Sequence, residues 1–364
     1  MDFKTLGNCI DKATVFKGSR KKSFLAPRCV FVSSNKLFVS DTAQNRVFIW
    51  NSIPNTKYAE PDIILGQTTA ESSQRNSGGL VSNSSLLYPS GIWSDGKKLV
   101  VADSWNHRVL IWLEFPANNG QPADIVLGQP DFSTNQPNIT GQTANPNSNS
   151  LHWPYGVWSD GSNLWIADTG NRRVLYFKNF PTANSTHADG VIGKPNMFSR
   201  DYENRDPVWP YSVKVNHKNQ MIVADTQFYR VLVWNDWKTA FNQPADVIIG
   251  QNTFDYCGPN QFSLAPTQKS LSWTYDACFY KDGILVNDTG NSRILWFDKV
   301  PTANNQTAKA VIGRPDFTTG SDYSQNTNEV KNAIYWPFSI QTSANRLFIA
   351  DTGNHRIVIG DLTI

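Results

Sequence analysis

The pattern of apolar positions along the chain repeats six times. Short apolar segments that end in aspartate return at intervals of 57 to 65 residues. The six segments are 37–41, 99–103, 164–168, 221–225, 284–288 and 347–351. In each copy an arginine follows the aspartate by five residues and opens a second apolar segment. Apolar runs of this length, separated by turn residues, are typical of β-strands.

Two more segments complete each copy. A strand precedes the aspartate segment, and its first residue is proline in five copies and threonine in the fifth: Pro27, Pro89, Pro154, Pro210, Thr274 and Pro337. A short apolar segment ending in glycine follows five of the copies, at 61–66, 123–128, 188–193, 245–250 and 308–313. No such segment follows the sixth copy, which runs to Ile364, but residues 12–18 fit its pattern ahead of Pro27.

Six copies of a four-stranded unit predict an all-β protein, a six-bladed β-propeller. We expect the strand at 12–18 to complete the last blade by pairing within 345–364, because this closure removes the open edge of the sheet. The repeat covers the chain from end to end. We therefore interpret residues 1–364 as a single domain.

The turn after each aspartate resembles the signature of NHL repeats. The segments DSWNHR at 103–108, DTGNRR at 168–173 and DTGNHR at 351–356 carry the resemblance, and GQPDF at 128–132 resembles a run found in a bacterial subset of that family. The resemblance implies a six-bladed propeller of the NHL type. For function it implies only a range, since the family includes RNA-binding modules, protein-interaction platforms, sensor domains and a few enzymes.

Charge and composition narrow the classes of partner. Lysine and arginine total 33 against 30 aspartates and glutamates, a net charge of +3 that is too small to favour nucleic acid or an anionic membrane. No apolar run approaches the roughly 20 residues that cross a bilayer, and no signal-peptide core follows Met1. We expect a monomer, cytoplasmic if the chain is complete and exported if a signal peptide has been removed. The four cysteines leave thiols and disulfides equally open.

One end of the ring is the expected site, and we call it the upper face. In a propeller the loops that enter the innermost strands lie on this face together with the turns between the second and third strands. Five of these entry loops are long, 16 to 25 residues, and they are 67–88, 129–153, 194–209, 251–273 and 314–336. Long connections in a compact domain are often functional. The alternative is that their phenylalanines cap the core: Phe132, Phe198, Phe254 and Phe317.

Aromatic residues stand immediately before five of the six inner strands. We call this set, with Ala26 of the first copy, the collar: Tyr88, Trp153, Trp209, Trp273 and Trp336. Such rings stack on flat ligands or hold a cation, so the collar is a predicted ligand-binding set. Trp105 and Arg172, which depart from the Gly-Asn theme of the turns, are predicted to join it. The alternative is that collar rings wedge between blades.

The inner strands supply the candidate catalytic residues. Their second positions hold one carboxylate, Asp276, among small residues. A buried carboxylate is costly unless it is paired or used, so Asp276 either has a ligand-binding, metal-binding or catalytic role or is hydrogen-bonded to backbone amides. Their first positions are Arg28, Ser90, Tyr155, Tyr211, Tyr275 and Phe338. Arg28 and Tyr275 are candidate catalytic partners, and Tyr155 and Tyr211 are candidate ligand-binding residues. Strand alternation lets only one of the two sets face the axis.

The recurring aspartates and arginines are expected to be structural ion pairs, because they occur in every copy. No metal or cofactor is expected, since none of the five histidines lies on an inner strand and one axial carboxylate does not make a calcium site. The sequence therefore predicts a propeller that binds a small molecule or a protein at its upper mouth. The alternative is an enzyme of unassigned reaction, of lyase, hydrolase or transferase type, at the same mouth.

Overall fold

The computed structural model describes residues 9–320 and 333–364. The described residues form six four-stranded antiparallel sheets. The innermost strand of each sheet contacts the innermost strands of the two neighbouring sheets, and the sixth sheet contacts the first in the same way. The sheets are thus blades of a closed ring, and the predicted six-bladed β-propeller is confirmed.

The strands follow the predicted order within each blade. Blade 1 contains β2 (Cys29–Ser33), β3 (Lys36–Asp41), β4 (Arg46–Trp50) and β5 (Ile63–Leu65). Blade 2 contains β6 (Pro89–Ser94), β7 (Leu99–Asp103), β8 (Arg108–Trp112) and β9 (Ile125–Leu127). Blade 3 contains β10 (Pro154–Ser159), β11 (Leu164–Asp168), β12 (Arg173–Phe177) and β13 (Gly190–Ile192).

The remaining blades repeat the arrangement. Blade 4 contains β14 (Pro210–Val215), β15 (Met221–Asp225), β16 (Arg230–Trp234) and β17 (Val247–Ile249). Blade 5 contains β18 (Thr274–Tyr280), β19 (Gly283–Asp288), β20 (Arg293–Phe297) and β21 (Ala310–Ile312). Blade 6 contains β22 (Ser339–Ser343), β23 (Arg346–Asp351), β24 (Arg356–Leu362) and β1 (Ile10–Phe16).

In the part of the chain that the structure describes, helical structure is confined to short 3-10 turns. Six of them follow the aspartates, at Thr42–Gln44, Ser104–Asn106, Thr169–Asn171, Thr226–Phe228, Thr289–Asn291 and Thr352–Asn354. The others are Arg75–Gly78, Trp237–Phe241 and Pro259–Phe262. Within 9–320 and 333–364, no helix has the length and apolar character that a membrane span requires.

The first strand of the chain closes the ring. β1 pairs antiparallel with β24, with Ile10 opposite Leu362 and Phe16 opposite Ile357. The expected closure is confirmed, although the strand begins two residues earlier than the predicted 12–18. Both ends of the described chain therefore meet in one sheet.

The core lies between the blades. Every residue of β4 and of β8 is buried, although these strands belong to antiparallel sheets. Burial on both faces explains why their sequences are continuous apolar runs, since each blade is covered by a neighbour on each side.

A hydroxyl residue after each aspartate links its blade to the next one. Each hydroxyl donates a hydrogen bond of 2.5–2.7 Å to the carbonyl of the residue that precedes or opens the next inner strand. The donors are Thr42, Ser104, Thr169, Thr226, Thr289 and Thr352, and Thr352 closes the ring by donating to Pro27. These contacts fix the spacing of the inner strands around the axis.

The six expected aspartate–arginine pairs are present and buried, with N–O distances of 2.6–2.9 Å. Their arginines also hold the entry loops. Arg108, for example, pairs with Asp103 and donates to the carbonyls of Ser82, at 2.8 Å, and Phe132, at 2.9 Å. Those two carbonyls belong to consecutive entry loops. The loops of the upper face are therefore fastened to the ring by buried guanidinium groups.

Candidate functional site

A small cavity lies on the axis of the ring. All six inner strands line it, and its volume is about 40 Å³. A cavity needs at least 10–15 Å³ to hold one water molecule, so this space has room for a few waters and not for a whole metabolite. A larger ligand must lie above the cavity, across the collar.

Both sets of inner-strand positions line this cavity. Tyr155 and Gly156 of blade 3 do so together, as do Tyr275 and Asp276 of blade 5. The expectation that alternation would let only one set face the axis is therefore wrong. In blades 2 to 5 the reason is an irregularity at the start of β6, β10, β14 and β18, where the pairing register shifts just after the first residue. Such bulges interrupt the two-residue period of a strand.

Four aromatic rings form an arc at the upper end of the cavity. The rings of Tyr155 and Tyr211 are stacked, with centroids 4.6 Å apart. Tyr275 is perpendicular to Tyr211 at 4.7 Å and lies 4.1 Å from Phe338. Burial raises the pKa of Tyr155 and Tyr211, and that of Tyr275 to about 12. The three hydroxyls therefore remain protonated at neutral pH and are able to donate hydrogen bonds.

Arg28 of blade 1 contacts the rings of this arc from across the cavity. Its Nη1 donates a hydrogen bond of 3.2 Å to the hydroxyl of Tyr211, which joins blade 1 to blade 4. The guanidinium carbon lies 4.1 Å from the ring centre of Phe338 and 5.0 Å from that of Tyr88. The Nε atom is buried and has no hydrogen-bond partner among the described residues. The structure thus brings Arg28 together with the predicted tyrosines.

Asp276 is buried beside a lysine that the sequence analysis did not select. Oδ1 of Asp276 lies 3.1 Å from Nζ of Lys214. The same carboxylate accepts hydrogen bonds from the backbone amides of Ala277, at 2.9 Å, and Ile340, at 3.0 Å. The backbone-amide alternative for Asp276 is therefore present, together with an ion pair. Its catalytic role stays a prediction.

A signal for Lys214 does exist in the sequence. Lys214 is the fourth residue after the opening proline, where the first three blades have Phe31, Trp93 and Trp158. Lys214 is thus the one charged residue at this position, which is aromatic in blades 1 to 3 and uncharged in blades 5 and 6.

The collar lies on the upper face and is partly open to solvent. Tyr88 stacks on Trp105 at 4.3 Å, and Trp153 lies 6.3 Å from Trp209. Trp273 and Trp336 are each 44% exposed, so nearly half of each side chain is available to a ligand. The collar and the turn residue Trp105 therefore share one surface.

The collar backbone has an unusual conformation in five of the six blades. Ala26, Tyr88, Trp153, Trp273 and Trp336 have φ values of 46–57°. This left-handed region is costly for residues other than glycine. The turn of the preceding blade compensates, for example where Nδ1 of His107 accepts from the amide of Trp153 at 3.1 Å.

Exposed apolar surface is concentrated on the upper face. The large apolar side chains that are exposed among the described residues all belong to entry loops or to a turn tip: Leu25, Leu80, Trp105, Phe198, Tyr202, Tyr256, Phe262, Leu264, Trp273, Tyr335 and Trp336.

The entry loops combine both expected behaviours. Phe132, Phe254 and Phe317 pack against the core, whereas Phe198 is 64% exposed. Arg172, a predicted ligand-binding residue, lies over the ring of Tyr202 in loop 194–209 at 4.5 Å. Part of the last loop, 321–332, lies outside the described residues.

A larger cavity of about 660 Å³ opens beside blade 4, between loop 194–209 and the segment 240–244. Lys194 at its edge is buried, and its Nζ lies 3.6 Å from Asp206. This cavity was not predicted from the sequence. Throughout the described residues, no group of three or more histidines, cysteines, aspartates or glutamates is placed to hold a metal ion.

Comparison with known proteins supports the fold. The chain matches no protein-family model and no curated protein. Among solved structures it is similar to an auxiliary nutrient binding protein from Bacteroides thetaiotaomicron, with a TM-score of 0.54 and 12% identity over 97% of this chain and 76% of that one. A protein of unknown function from the same organism has a TM-score of 0.50 and 10% identity over 96% and 75% of the two chains.

A third similar structure is a virginiamycin B lyase from Staphylococcus aureus, with a TM-score of 0.46 and 12% identity over 96% of this chain and 99% of that one. At these identities the likeness concerns the architecture alone. The chain is a six-bladed β-propeller.

Proposed function

We propose that this protein is an NHL-type propeller that binds a ring-containing small molecule across the collar. The observation that carries the proposal is the exposure of Trp273 and Trp336, each 44%, on a face that also holds the other exposed large apolar side chains of the described residues. Exposed apolar side chains that are gathered on one face often mark a binding site, whereas singly scattered ones need no explanation.

The shape of the mouth supports this mode of binding. The axial cavity of about 40 Å³ does not enclose a ring, whereas the collar above it offers flat aromatic faces. Aromatic rings stack on other flat, apolar faces and bury a large area for few rotatable bonds. A sugar or an aromatic compound fits this surface.

The NHL assignment rests on the turn residues. In five of the six turns an asparagine or glutamine amide donates to the aspartate that pairs with the arginine; Asn171, for example, donates to Asp168 at 2.8 Å. In these five turns the aspartate accepts from the arginine, from the turn amide and from the backbone amide of the residue just before the collar residue. The turn at Thr226–Phe228 has glutamine and phenylalanine instead.

The experiment compares collar variants with a matched loop variant. Wild type, Trp273→Ala, Trp336→Ala and Phe262→Ala are screened by thermal shift against monosaccharides, oligosaccharides and aromatic compounds. Phe262 is the control because it is 55% exposed and lies in the same entry loop as Trp273, outside the collar. A native-state ligand raises the melting temperature.

The expected result is a ligand whose stabilising effect is lost in both tryptophan variants and kept in Phe262→Ala. Equal responses of all four proteins to every compound would refute binding at the collar. A protein partner captured through the tryptophans, with no response to small molecules, would also contradict the proposed ligand class.

A further inference from the structure

The charges along the axial cavity do not cancel. Three charged side chains line it: Arg28, Lys214 and Asp276. Asp276 is paired with Lys214. Arg28 has no carboxylate within ion-pair distance among the described residues, and its hydrogen-bond partner is the neutral hydroxyl of Tyr211. The cavity therefore carries one positive charge without a counter-charge.

The surroundings of Arg28 make that charge unusual. The side chain is half-buried, its Nε is buried without a partner, and aromatic rings lie within 5.0 Å of the guanidinium carbon. The aspartate–arginine pairs of the six blades, by contrast, satisfy their guanidinium groups with a carboxylate and loop carbonyls. A half-buried guanidinium group with an unpaired N–H and no carboxylate nearby is only partly satisfied, so an anion at this position gains the energy of pairing with it.

We propose that the upper end of the axial cavity is a carboxylate-binding site, in which Arg28 binds the acid group of a ligand whose ring lies on the collar. This inference rests on the proposed function and names the ligand class more closely, as a ring-containing carboxylic acid.

The chemistry of Arg28 favours a carboxylate over other anions. A guanidinium group offers its N–H donors in one plane, which matches the two oxygens of a carboxylate. A carboxylate brings one negative charge, and the cavity lacks one. A phosphate dianion would bring a second negative charge for which the cavity has no partner.

The tyrosines supply the second half of the site. The hydroxyl of Tyr211 already accepts from Arg28, so its own proton is left for another acceptor. The rings of Tyr155 and Tyr275 contact Tyr211 and border the same cavity. Protonated hydroxyls beside a guanidinium group form a donor set for an anion.

The test uses a matched pair of probes on the full chain at pH 7. Benzoate and benzamide have the same ring and nearly the same shape, but only benzoate carries a charge. Their affinities are measured by isothermal titration calorimetry for wild type, Arg28→Met, Arg28→Lys and Arg346→Met. Arg346 is the control because its guanidinium carbon also lies near an aromatic ring, 5.5 Å from the ring centre of Phe348. It is the first residue of β23 and therefore lies at the end of blade 6 that is away from the upper face.

We expect wild type and Arg346→Met to bind benzoate about tenfold or more tightly than benzamide, as a charge-assisted hydrogen bond implies. Arg28→Met should remove this preference, and Arg28→Lys should keep part of it because the charge remains. Circular dichroism melts establish that each variant is folded, and Arg28→Lys carries the test if Arg28→Met unfolds.

Equal affinities of wild type for the two probes, or an unchanged preference in Arg28→Met, would overturn the inference. Tighter binding of phenyl phosphate than of benzoate would show that the anion class is wrong. If Trp273→Ala abolishes binding of both probes while the Arg28 variants do not change the preference, the collar function stands and the inference fails. If only the Arg28 variants matter, the collar function fails and the carboxylate site stands.

Discussion

Nζ of Lys214 lies 3.1 Å from Oδ1 of Asp276, inside the ring and away from bulk solvent. Lys214 belongs to blade 4 and Asp276 to blade 5, and the second oxygen of Asp276 accepts from the amide of Ile340 in blade 6. One ion pair thus links three consecutive blades at the axis. Its removal tests whether Asp276 serves the fold or a reaction.

Asp276→Asn should lower the free energy of unfolding by about 3–5 kcal/mol, because it leaves Lys214 charged and buried without its partner. Urea unfolding measures the change. Lys214→Met with Asp276→Asn should be more stable than either single variant, since the pair is removed together. A variant Asp276→Asn with unchanged stability would contradict the structural role and would strengthen the prediction that Asp276 is catalytic.

The same pair predicts a loss of stability at alkaline pH. Burial by itself lowers the pKa of Lys214, but the charge and hydrogen bond of Asp276, together with Cys278 and Cys29, raise it above its ordinary value of 10.5. A raised lysine pKa stabilises the folded state fully below the unfolded value and less as the pH rises through the folded value. Above pH 10 the free energy of unfolding should therefore fall more steeply with pH for wild type than for the double variant Lys214→Met with Asp276→Asn. Urea titration at each pH measures this free energy.

The buried side chain of His107 predicts that the stability of the protein falls in acid. Burial, and secondly the neighbouring His152, lower the pKa of His107 from 6.5 to about 3. The unfolded chain therefore binds a proton that the folded chain does not, and stability is complete above pH 6.5 and falls as the pH decreases toward 3. The slope from one such group is at most about 1.4 kcal/mol per pH unit.

The equivalent residue of blade 1 suggests a control substitution for His107. Asn45 occupies the same place in blade 1, and its Oδ1 accepts from the amide of Tyr88 at 3.0 Å. His107→Asn should keep the corresponding hydrogen bond to Trp153 without a titrating group, so its stability should depend less on pH between 6.5 and 3. An identical acid profile for this variant and wild type would contradict the assignment.

Arg108 tests whether buried guanidinium groups hold the upper loops. Arg108→Met removes its bonds to the carbonyls of Ser82 and Phe132 and leaves Asp103 unpaired. We expect a loss of about 3–5 kcal/mol in unfolding free energy and faster proteolysis within 67–88 and 129–153 than in wild type. Loop 251–273, which Arg108 does not hold, is the internal control. Equal cleavage of all three loops would mean that the arginine acts on global stability alone.

Trp112 and Trp273 allow the contributions of the core and of the collar to stability to be compared. Trp112 is 1% exposed, and its Nε1 donates to the carbonyl of Gln121 at 3.0 Å. Trp112→Ala should cost about 3–5 kcal/mol of unfolding free energy. Trp273→Ala should cost less than about 1–2 kcal/mol, because 44% of that side chain is already in water. Denaturant unfolding of the two variants decides whether the collar is available for binding or is needed for folding.

The repeat made most of the fold predictable. The aspartate and arginine of each copy sit at the end of one strand and the start of the next, where they define the register of the pair, for example Asp103 opposite Arg108. The N-terminal strand was predictable because residues 12–18 carried a pattern that the sixth copy lacked.

The details of the site were harder to predict, for physical reasons. The bulge at the start of the inner strands sets which side chains meet the axis, and it follows from backbone geometry that no residue pattern marked. Arg28 and Tyr211 are far apart in sequence and meet only because blades 1 and 4 face each other across the ring. Lys214 was detectable as a departure from the aromatic residues at its position.

The pairing of β1 with β24 has a consequence for how the ring is assembled. Blades 1 to 5 are each built from one continuous stretch of sequence, so their strands pair with near neighbours along the chain. Blade 6 joins Ile10 to Leu362, across almost the whole length of the protein. Since distant pairings form slowly, the docking of β1 onto β24 is expected to be the last step in closing the ring.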